Sequence, residues 1–182
     1  MTLRFRAFAL PLLTCATLFA GCGGNQAVTD DVNLIGFNDY ESVLGWQPDA
    51  NAVTRDHAHS GKYAIMVGPG KDYALGYGLP IGKATSRKPR KIGISAWGYM
   101  SDAKSVARLN LQLYNPATGK EAFSDGIDFS SAIKTPKKWM EISKEVTLPE
   151  NIDSNLELRV YLWRANAETP AYLDDMRITL VE

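Results

Sequence analysis

Apolar and polar residues alternate with a period of two along much of this chain, and no long segment shows the 3.6-residue period of an amphipathic helix. The alternation is most regular in residues 92–97, 108–114, 156–163 and 176–180. This pattern is typical of strands that bury one face and expose the other. Further candidate strands complete the set, namely residues 32–37, 63–67, 73–78, 121–129 and 139–146.

Turn-forming residues separate these segments, and together they predict the fold class. Gly and Pro mark turns in residues 68–70 and 115–119, and a further polar turn occupies residues 149–154. About ten short strands in one domain indicate an all-β fold, an antiparallel β-sandwich of the jelly-roll type. The alternation assigns six aliphatic residues to the shared core, namely Leu109, Leu111, Leu113, Leu158, Val160 and Leu162.

The N-terminal segment has the plan of a secretory signal. Arg4 and Arg6 form a positive start, and an apolar run covers residues 7–20. The run is short for a membrane span, and a polar stretch follows it. Its end resembles the bacterial lipobox, which implies cleavage before Cys22 and a lipid on that cysteine. The alternative is an ordinary secretory signal that is cleaved nearby.

These features divide the chain into a signal peptide (1–21), a tether (22–31) and one β-sandwich domain (32–182). By resemblance to the bacterial sorting pattern, Gly23 in place of Asp implies lipid anchoring to the outer membrane of a bacterial cell envelope. With Cys15 removed and Cys22 lipidated, we expect no disulfide and no thiolate metal site, so the domain must be stabilised by its core.

Charge argues against one class of partner. Removal of the signal leaves 18 basic and 20 acidic residues, a net charge of −2 with histidine neutral. No basic stripe runs along the chain, so we do not expect nucleic acid as a partner. Residues 83–91 are a local exception, because they hold five basic residues and no acid. They fit either a solvated loop or a surface that attracts an anionic partner.

Short motifs of aromatic, small and acidic residues are spread from the start of the domain to its end. They are Asp39-Tyr40-Glu41, Trp46, His59-Ser60-Gly61-Lys62, Ser95-Ala96-Trp97, Trp139 with Ile142-Ser143, and Tyr172-Leu173-Asp174-Asp175. In order and spacing they resemble those of carbohydrate-binding modules with a galactose-binding-like jelly roll. The resemblance covers most of the domain and implies a protein that binds a glycan rather than a catalyst.

The resemblance also implies a structural calcium ion. In this family an early Glu, the backbone of the Ser-Gly-Lys turn and a late Asp often enclose Ca²⁺. The matching residues here are Glu41, Lys62 through its carbonyl, and Asp174 or Asp175. Such oxygen ligands suit calcium and would tie the first and last strands together. The alternative is that these carboxylates cap strand ends or pair with arginine.

The residues that alternate with the core aliphatic residues indicate where a glycan would bind. Aromatic rings match the C–H face of a sugar, while amide and guanidinium groups bind hydroxyls. The predicted carbohydrate-binding residues are Trp97, Tyr99, Asn110, Gln112, Tyr114, Arg159, Tyr161 and Trp163. Trp97 also fits the core phase of its strand. The other aromatic residues considered are assigned to core or edge packing, namely Trp46, Tyr63, Tyr73, Trp139 and Tyr172.

Catalysis finds little support in the sequence. His57 and His59 are the only histidines, and their place beside a turn favours packing or turn bonding. Asp174 and Asp175 are neighbours, and neighbours on a strand face opposite sides, which does not suit two carboxylates that flank one glycosidic bond. We therefore expect a surface lipoprotein that binds a polysaccharide or oligosaccharide. The alternatives are a structural or protein-interaction lipoprotein without a sugar site, and a small jelly-roll enzyme that degrades glycans.

Overall fold

The computed structural model describes residues 32–42 and 52–182 of the 182-residue chain. These residues form ten strands and two helices of four residues each. In chain order the elements are β1 (Leu34–Asn38), β2 (Val53–Thr54), β3 (Ala64–Val67), β4 (Tyr73–Pro80), α1 (Ile81–Ala84), β5 (Lys91–Met100), β6 (Arg108–Asn115), β7 (Lys120–Asp128), α2 (Phe129–Ala132), β8 (Met140–Thr147), β9 (Glu157–Trp163) and β10 (Ala171–Leu180). The predicted signal peptide, tether, Cys22 and Trp46 lie outside the described residues.

The strands form two antiparallel sheets. The six-stranded sheet has the order β2-β3-β10-β5-β8, and β1 pairs with β10 beside β3. The four-stranded sheet has the order β4-β9-β6-β7. The prediction of an all-β antiparallel sandwich is therefore confirmed. Among the described residues, no helix is long and apolar enough to cross a membrane.

One apolar core lies between the sheets, and sequence alternation decides which side chains enter it. Along β5 the buried Ile92, Ile94 and Ala96 alternate with partly exposed residues. Burial of such side chains removes apolar surface from water, which is the main favourable contribution to folding. The six residues predicted for the core of β6 and β9 are all buried, namely Leu109, Leu111, Leu113, Leu158, Val160 and Leu162.

The alternation is interrupted in β4, where the register against β9 shifts between Ala74 and Tyr77. Gly76 lies within this shift. A Cβ atom at Gly76 would stand 1.6 Å from the carbonyl oxygen of Val160, so only glycine allows the two backbones to approach this closely. The shift separates an exposed Tyr73 from a Tyr77 that packs against the core.

A second irregularity lies in β10, the strand that pairs with β5 on one side and with both β3 and β1 on the other. Its register against β5 shifts between Asp174 and Arg177. Asp175 has a positive φ of 48° within this bulge. Leu173 and Met176 are both buried although they are an odd number of positions apart, so the inward-facing phase changes here.

Candidate functional site

The outer face of the four-stranded sheet carries six of the eight residues predicted to bind a glycan. Along β6 and β9 these six alternate with buried aliphatic residues, which places them on one outward-facing surface. The register of the two strands pairs Asn110 with Tyr161 and Gln112 with Arg159. We call this surface the outer face, and its predicted residues are Asn110, Gln112, Tyr114, Arg159, Tyr161 and Trp163.

One end of the outer face is aromatic. Trp163 lies opposite Tyr73 across β9 and β4, and these side chains are 38% and 59% exposed. The ring of Tyr73 meets that of Tyr161 edge-on, with centroids 5.9 Å apart. Exposed rings of this kind offer an apolar platform to a ligand. The assignment of Tyr73 to packing is wrong, and this residue joins the candidate site.

Asn110 supports this aromatic end from below. It is only 5% exposed, and its side-chain amide donates a hydrogen bond to the hydroxyl of Tyr161 at 2.9 Å. Its carbonyl oxygen accepts from the hydroxyl of Ser124 at 3.2 Å and from Nε of Arg108 at 3.3 Å. Asn110 therefore positions Tyr161 and is not an exposed ligand-binding amide. Burial raises the pKa of the Tyr161 phenol, with partial opposition from the Asn110 bond, so the phenol stays neutral.

The other end of the outer face is polar, and its side chains hold one another in place. Nε of Arg159 donates to a carboxylate oxygen of Glu157 at 2.9 Å. The guanidinium of Arg159 also covers the ring of Tyr114, 3.7 Å from its centroid. The amide of Gln112 donates to Glu121 at 2.7 Å. These contacts orient the polar groups in advance, while the Arg159 stack occupies one side of the Tyr114 ring.

Trp97 and Tyr99 lie on β5 in the other sheet, so the structure does not bring them together with the other six. Both alternate with buried residues such as Ala96 and point outward. His59 stacks on Trp97 with ring centroids 3.8 Å apart, and His57 stacks on Tyr99 at 4.5 Å. The two histidines therefore pack against aromatic rings on the six-stranded sheet.

A second polar cluster fixes the turn that contains His59 and Ser60. One oxygen of Asp174 accepts from the backbone N–H of His59 at 2.8 Å and of Ser60 at 3.1 Å. Asp175 accepts from the hydroxyl of Ser60 at 2.8 Å and lies 2.7 Å from Nδ1 of His59. The bulge in β10 brings both carboxylates to the same two residues. The expectation that these neighbours serve opposite faces is therefore wrong.

Glu41 holds the same turn from its other end. Its Oε1 atom accepts from the backbone N–H groups of Lys62 and Tyr63, both at 2.8 Å. Gly61 has a φ of 56°, and a Cβ atom there would stand 2.4 Å from the carboxyl carbon of Glu41. Glycine is required at this position both for its backbone conformation and for the approach of the carboxylate.

Burial shapes the chemistry of this cluster. Asp174 is 0% exposed, and burial raises its pKa to about 6 although three backbone N–H groups favour the ionised form. Tyr40 is also buried, and its pKa is raised by burial and by the charges of Asp174 and Asp175. The hydroxyl of Tyr40 has no hydrogen-bond partner in the part of the chain that the structure describes.

The residues predicted to bind calcium thus gather around one turn. In the structure their carboxylates accept hydrogen bonds from this turn. Their oxygen chemistry suits calcium. The described ranges contain no group of three or more His, Cys, Asp or Glu side chains that is placed to hold a metal ion. N–H and O–H donors satisfy the carboxylates of Glu41, Asp174 and Asp175 in this arrangement. Calcium binding therefore stays a prediction from the sequence motifs.

Comparison with known proteins supports the fold class. No known family profile and no curated protein matches the sequence. The C-terminal family 22 carbohydrate-binding module of Clostridium thermocellum Xyn10B is 14% identical, with coverage of 83% of this chain and 95% of that chain and a TM-score of 0.54. A xylan-binding domain of the same module family is 15% identical, with coverage of 82% and 96% and a TM-score of 0.52. The chain has the jelly-roll β-sandwich fold of carbohydrate-binding modules.

Proposed function

We propose that this domain binds a polysaccharide or oligosaccharide on the outer face of the four-stranded sheet. The exposed indole of Trp163, beside Tyr73 and Tyr161, is the observation that carries the proposal. A pyranose ring stacks its C–H face on such rings, and the polar end supplies hydrogen-bonding groups that are already oriented. The two parts lie on the same strands, so one extended chain of sugars can contact both.

The same contacts favour binding without cleavage. Glu157 is held by Arg159, and both oxygens of Asp128 accept from Nη1 of Arg108 at 2.9 Å. A glycosidase needs one carboxyl group free to transfer a proton and a second that acts as base or nucleophile. Ion-paired carboxylates on an open face serve better to orient guanidinium groups toward sugar hydroxyls. We therefore propose a non-catalytic role.

The choice of first ligand follows from the structural neighbours. One of the solved structures that share the fold is named as a xylan-binding domain. This supports xylan and xylo-oligosaccharides as the first glycans to test, followed by a broad glycan array. Water competes for every hydroxyl contact, and ordered side chains lose entropy, so we expect dissociation constants of about micromolar to millimolar.

Calorimetric titration of the mature chain with these glycans tests the proposal. Trp163→Ala should weaken binding about tenfold or more, because it removes the exposed stacking surface. Tyr73→Ala should weaken binding in the same direction. Phe37→Ala is the matched control, since Phe37 is an aromatic residue that is 48% exposed on β1 of the other sheet.

The outcomes separate the possible functions. Melting curves must show that Trp163→Ala remains folded, and unfolding of this variant would make Trp163 a packing residue. Equal loss of binding in Phe37→Ala would place the ligand elsewhere. Absence of binding to any glycan at high protein concentration would favour the structural or protein-interaction lipoprotein.

We propose further that the domain is tethered to the bacterial outer membrane through a lipid on Cys22. The positive start, the apolar run and the small residues before Cys22 support this anchor. Cys22→Ser should release the protein from washed membranes or block its processing. Full retention of a processed but unlipidated protein after a high-salt wash would overturn the anchor.

A further inference from the structure

The basic segment, residues 83–91, begins within α1 and ends at the first residue of β5, and backbone hydrogen bonds hold it against the sandwich. Gly82 N–H donates to the carbonyl of Ser154 at 2.9 Å, and Arg90 N–H donates to that of Glu182 at 2.7 Å. Within the segment, the hydroxyl of Thr85 bonds the carbonyl of Arg87 at 2.8 Å. These bonds fix the backbone, so the charged side chains project from defined positions.

Most of the positive charge in the basic segment is not neutralised. Lys83, Arg87 and Arg90 are exposed, and their side chains form no ion pair with another described residue. The ammonium of Lys88 bonds only the backbone carbonyl of Glu150, at 2.6 Å, and so keeps its full charge. Lys91 differs, because it pairs with two carboxylates, those of Glu145 and Glu182. Four cations of the segment therefore remain available to an external anion.

A cleft beside these cations has the chemistry of a phosphate site. It has a volume of about 260 Å³, and its lining includes Arg87, Lys88 and the hydroxyl-bearing Ser86 and Ser154. None of the described residues that line it is acidic. Guanidinium, ammonium and hydroxyl groups are the donors that bind phosphate oxygens.

The basic segment lies near the point where the chain enters the sandwich, and this position indicates which anion it binds. Leu34 pairs with Thr179, and Leu180 N–H donates to the carbonyl of Asn33 at 2.7 Å. The next two residues of the chain, 181 and 182, bond the backbone of Lys91. The polypeptide therefore enters the sandwich at the end that carries the basic segment.

The predicted tether limits how far this end of the domain can lie from a lipid on Cys22. Ten backbone steps separate Cys22 from Val32, so an anchor at Cys22 holds this end within about 35 Å of the bilayer whatever conformation the tether adopts. Charges at this end therefore lie within reach of the lipid headgroups. At physiological salt their attraction extends about 8 Å.

We propose that the basic segment docks on the anionic phospholipid headgroups of the membrane that carries the anchor. The inference rests on the proposed anchor, because the lipid on Cys22 brings the basic segment near the membrane. The charge of the segment and the cleft do not depend on the anchor. Docking at this end would leave both sheet faces standing away from the bilayer, with the outer face open to a glycan.

The test uses the mature chain from residue 22 with Cys22→Ser, which retains both sheets and the whole described core. Co-sedimentation with vesicles of phosphatidylglycerol in phosphatidylcholine should show binding that pure phosphatidylcholine does not support and that high salt abolishes. Combined Lys83→Gln, Arg87→Gln and Arg90→Gln should weaken this binding by roughly 10- to 100-fold. Because this chain has no lipid, failure here leaves the anchor proposal untouched.

The matched control removes the same charge elsewhere. Lys134, Lys137 and Lys138 are exposed in the loop before β8, where Lys137 N–H bonds the carbonyl of Met100 at the opposite end of β5. Their combined change to Gln should leave vesicle binding within about twofold. Equal loss in both triple variants would overturn the proposal, as would a lack of preference for phosphatidylglycerol. Tighter binding to a soluble polyuronate that displaces the vesicles would assign the basic segment to an anionic glycan.

Discussion

Asp174 binds a proton more readily in the folded protein than in the unfolded chain. Its folded pKa is about 6, against 3.8 for an unperturbed Asp, because burial disfavours the charged carboxylate. Between about pH 4 and pH 6 the folded state therefore holds a proton that the unfolded state has released. The contribution of Asp174 to the free energy of unfolding must fall as the pH rises through this window.

Asp174→Asn tests this linkage. We expect the stability advantage of the wild type over this variant to shrink by about 2 kcal/mol between pH 4 and pH 7. Denaturant titrations at several pH values measure it, and Asp56→Asn, at an exposed site, controls for the loss of a negative charge. An advantage that grows with pH would show that the hydrogen bonds from His59 and Ser60 outweigh the cost of burial.

At the scale of elements, the turn between β2 and β3 connects the segment after β1 to β10, the last strand described. Glu41, just after β1, and the Asp pair of β10 hold this turn from opposite sides. A cation that joined these carboxylates would bind only the folded state, and a ligand at 100 times its dissociation constant adds about 2.7 kcal/mol. We therefore expect the melting temperature to fall in excess chelator and to recover with added Ca²⁺.

Glu41→Gln is the informative variant for calcium. Its side-chain oxygen still accepts the N–H bonds of Lys62 and Tyr63, whereas the charge that attracts a cation is lost. The variant should fold and show no response to Ca²⁺. If the melting temperature of the wild type changes with neither chelator nor Ca²⁺, this turn does not bind a structural calcium ion.

The facing of side chains could be predicted from sequence in strands with strict alternation, but not across the bulges of β4 and β10. In β6 and β9 each Leu or Val is buried, because a regular strand turns alternate residues inward. In β4 the repeat of Tyr73 and Tyr77 looks like one phase, yet the bulge at Gly76 puts them in different environments. The glycine was the available signal, since glycine within a strand often marks a bulge.

The candidate site shows the same division. Alternation predicts that Tyr161 and Trp163 face outward together, and the structure agrees. It also predicts that Trp97 and Tyr99 face outward, but it contains no information about which sheet a strand joins. That choice depends on the pairing of β5 with β10 and β8, contacts between residues far apart in the chain. Asn110 was misjudged for a related reason, because its partners Ser124 and Tyr161 lie on the neighbouring strands β7 and β9.

At the scale of the whole molecule, the order of the strands limits when the six-stranded sheet can form. The six-stranded sheet is organised around β10, which pairs with β1, β3 and β5, yet β10 comes last in the chain among the described strands. None of those three pairings can form before residues 171–180 are available, and pairings across such sequence separations are slow to form. A chain that stops before β10 therefore leaves β1, β3 and β5 without their shared partner, and such unpaired strand edges favour association with other chains.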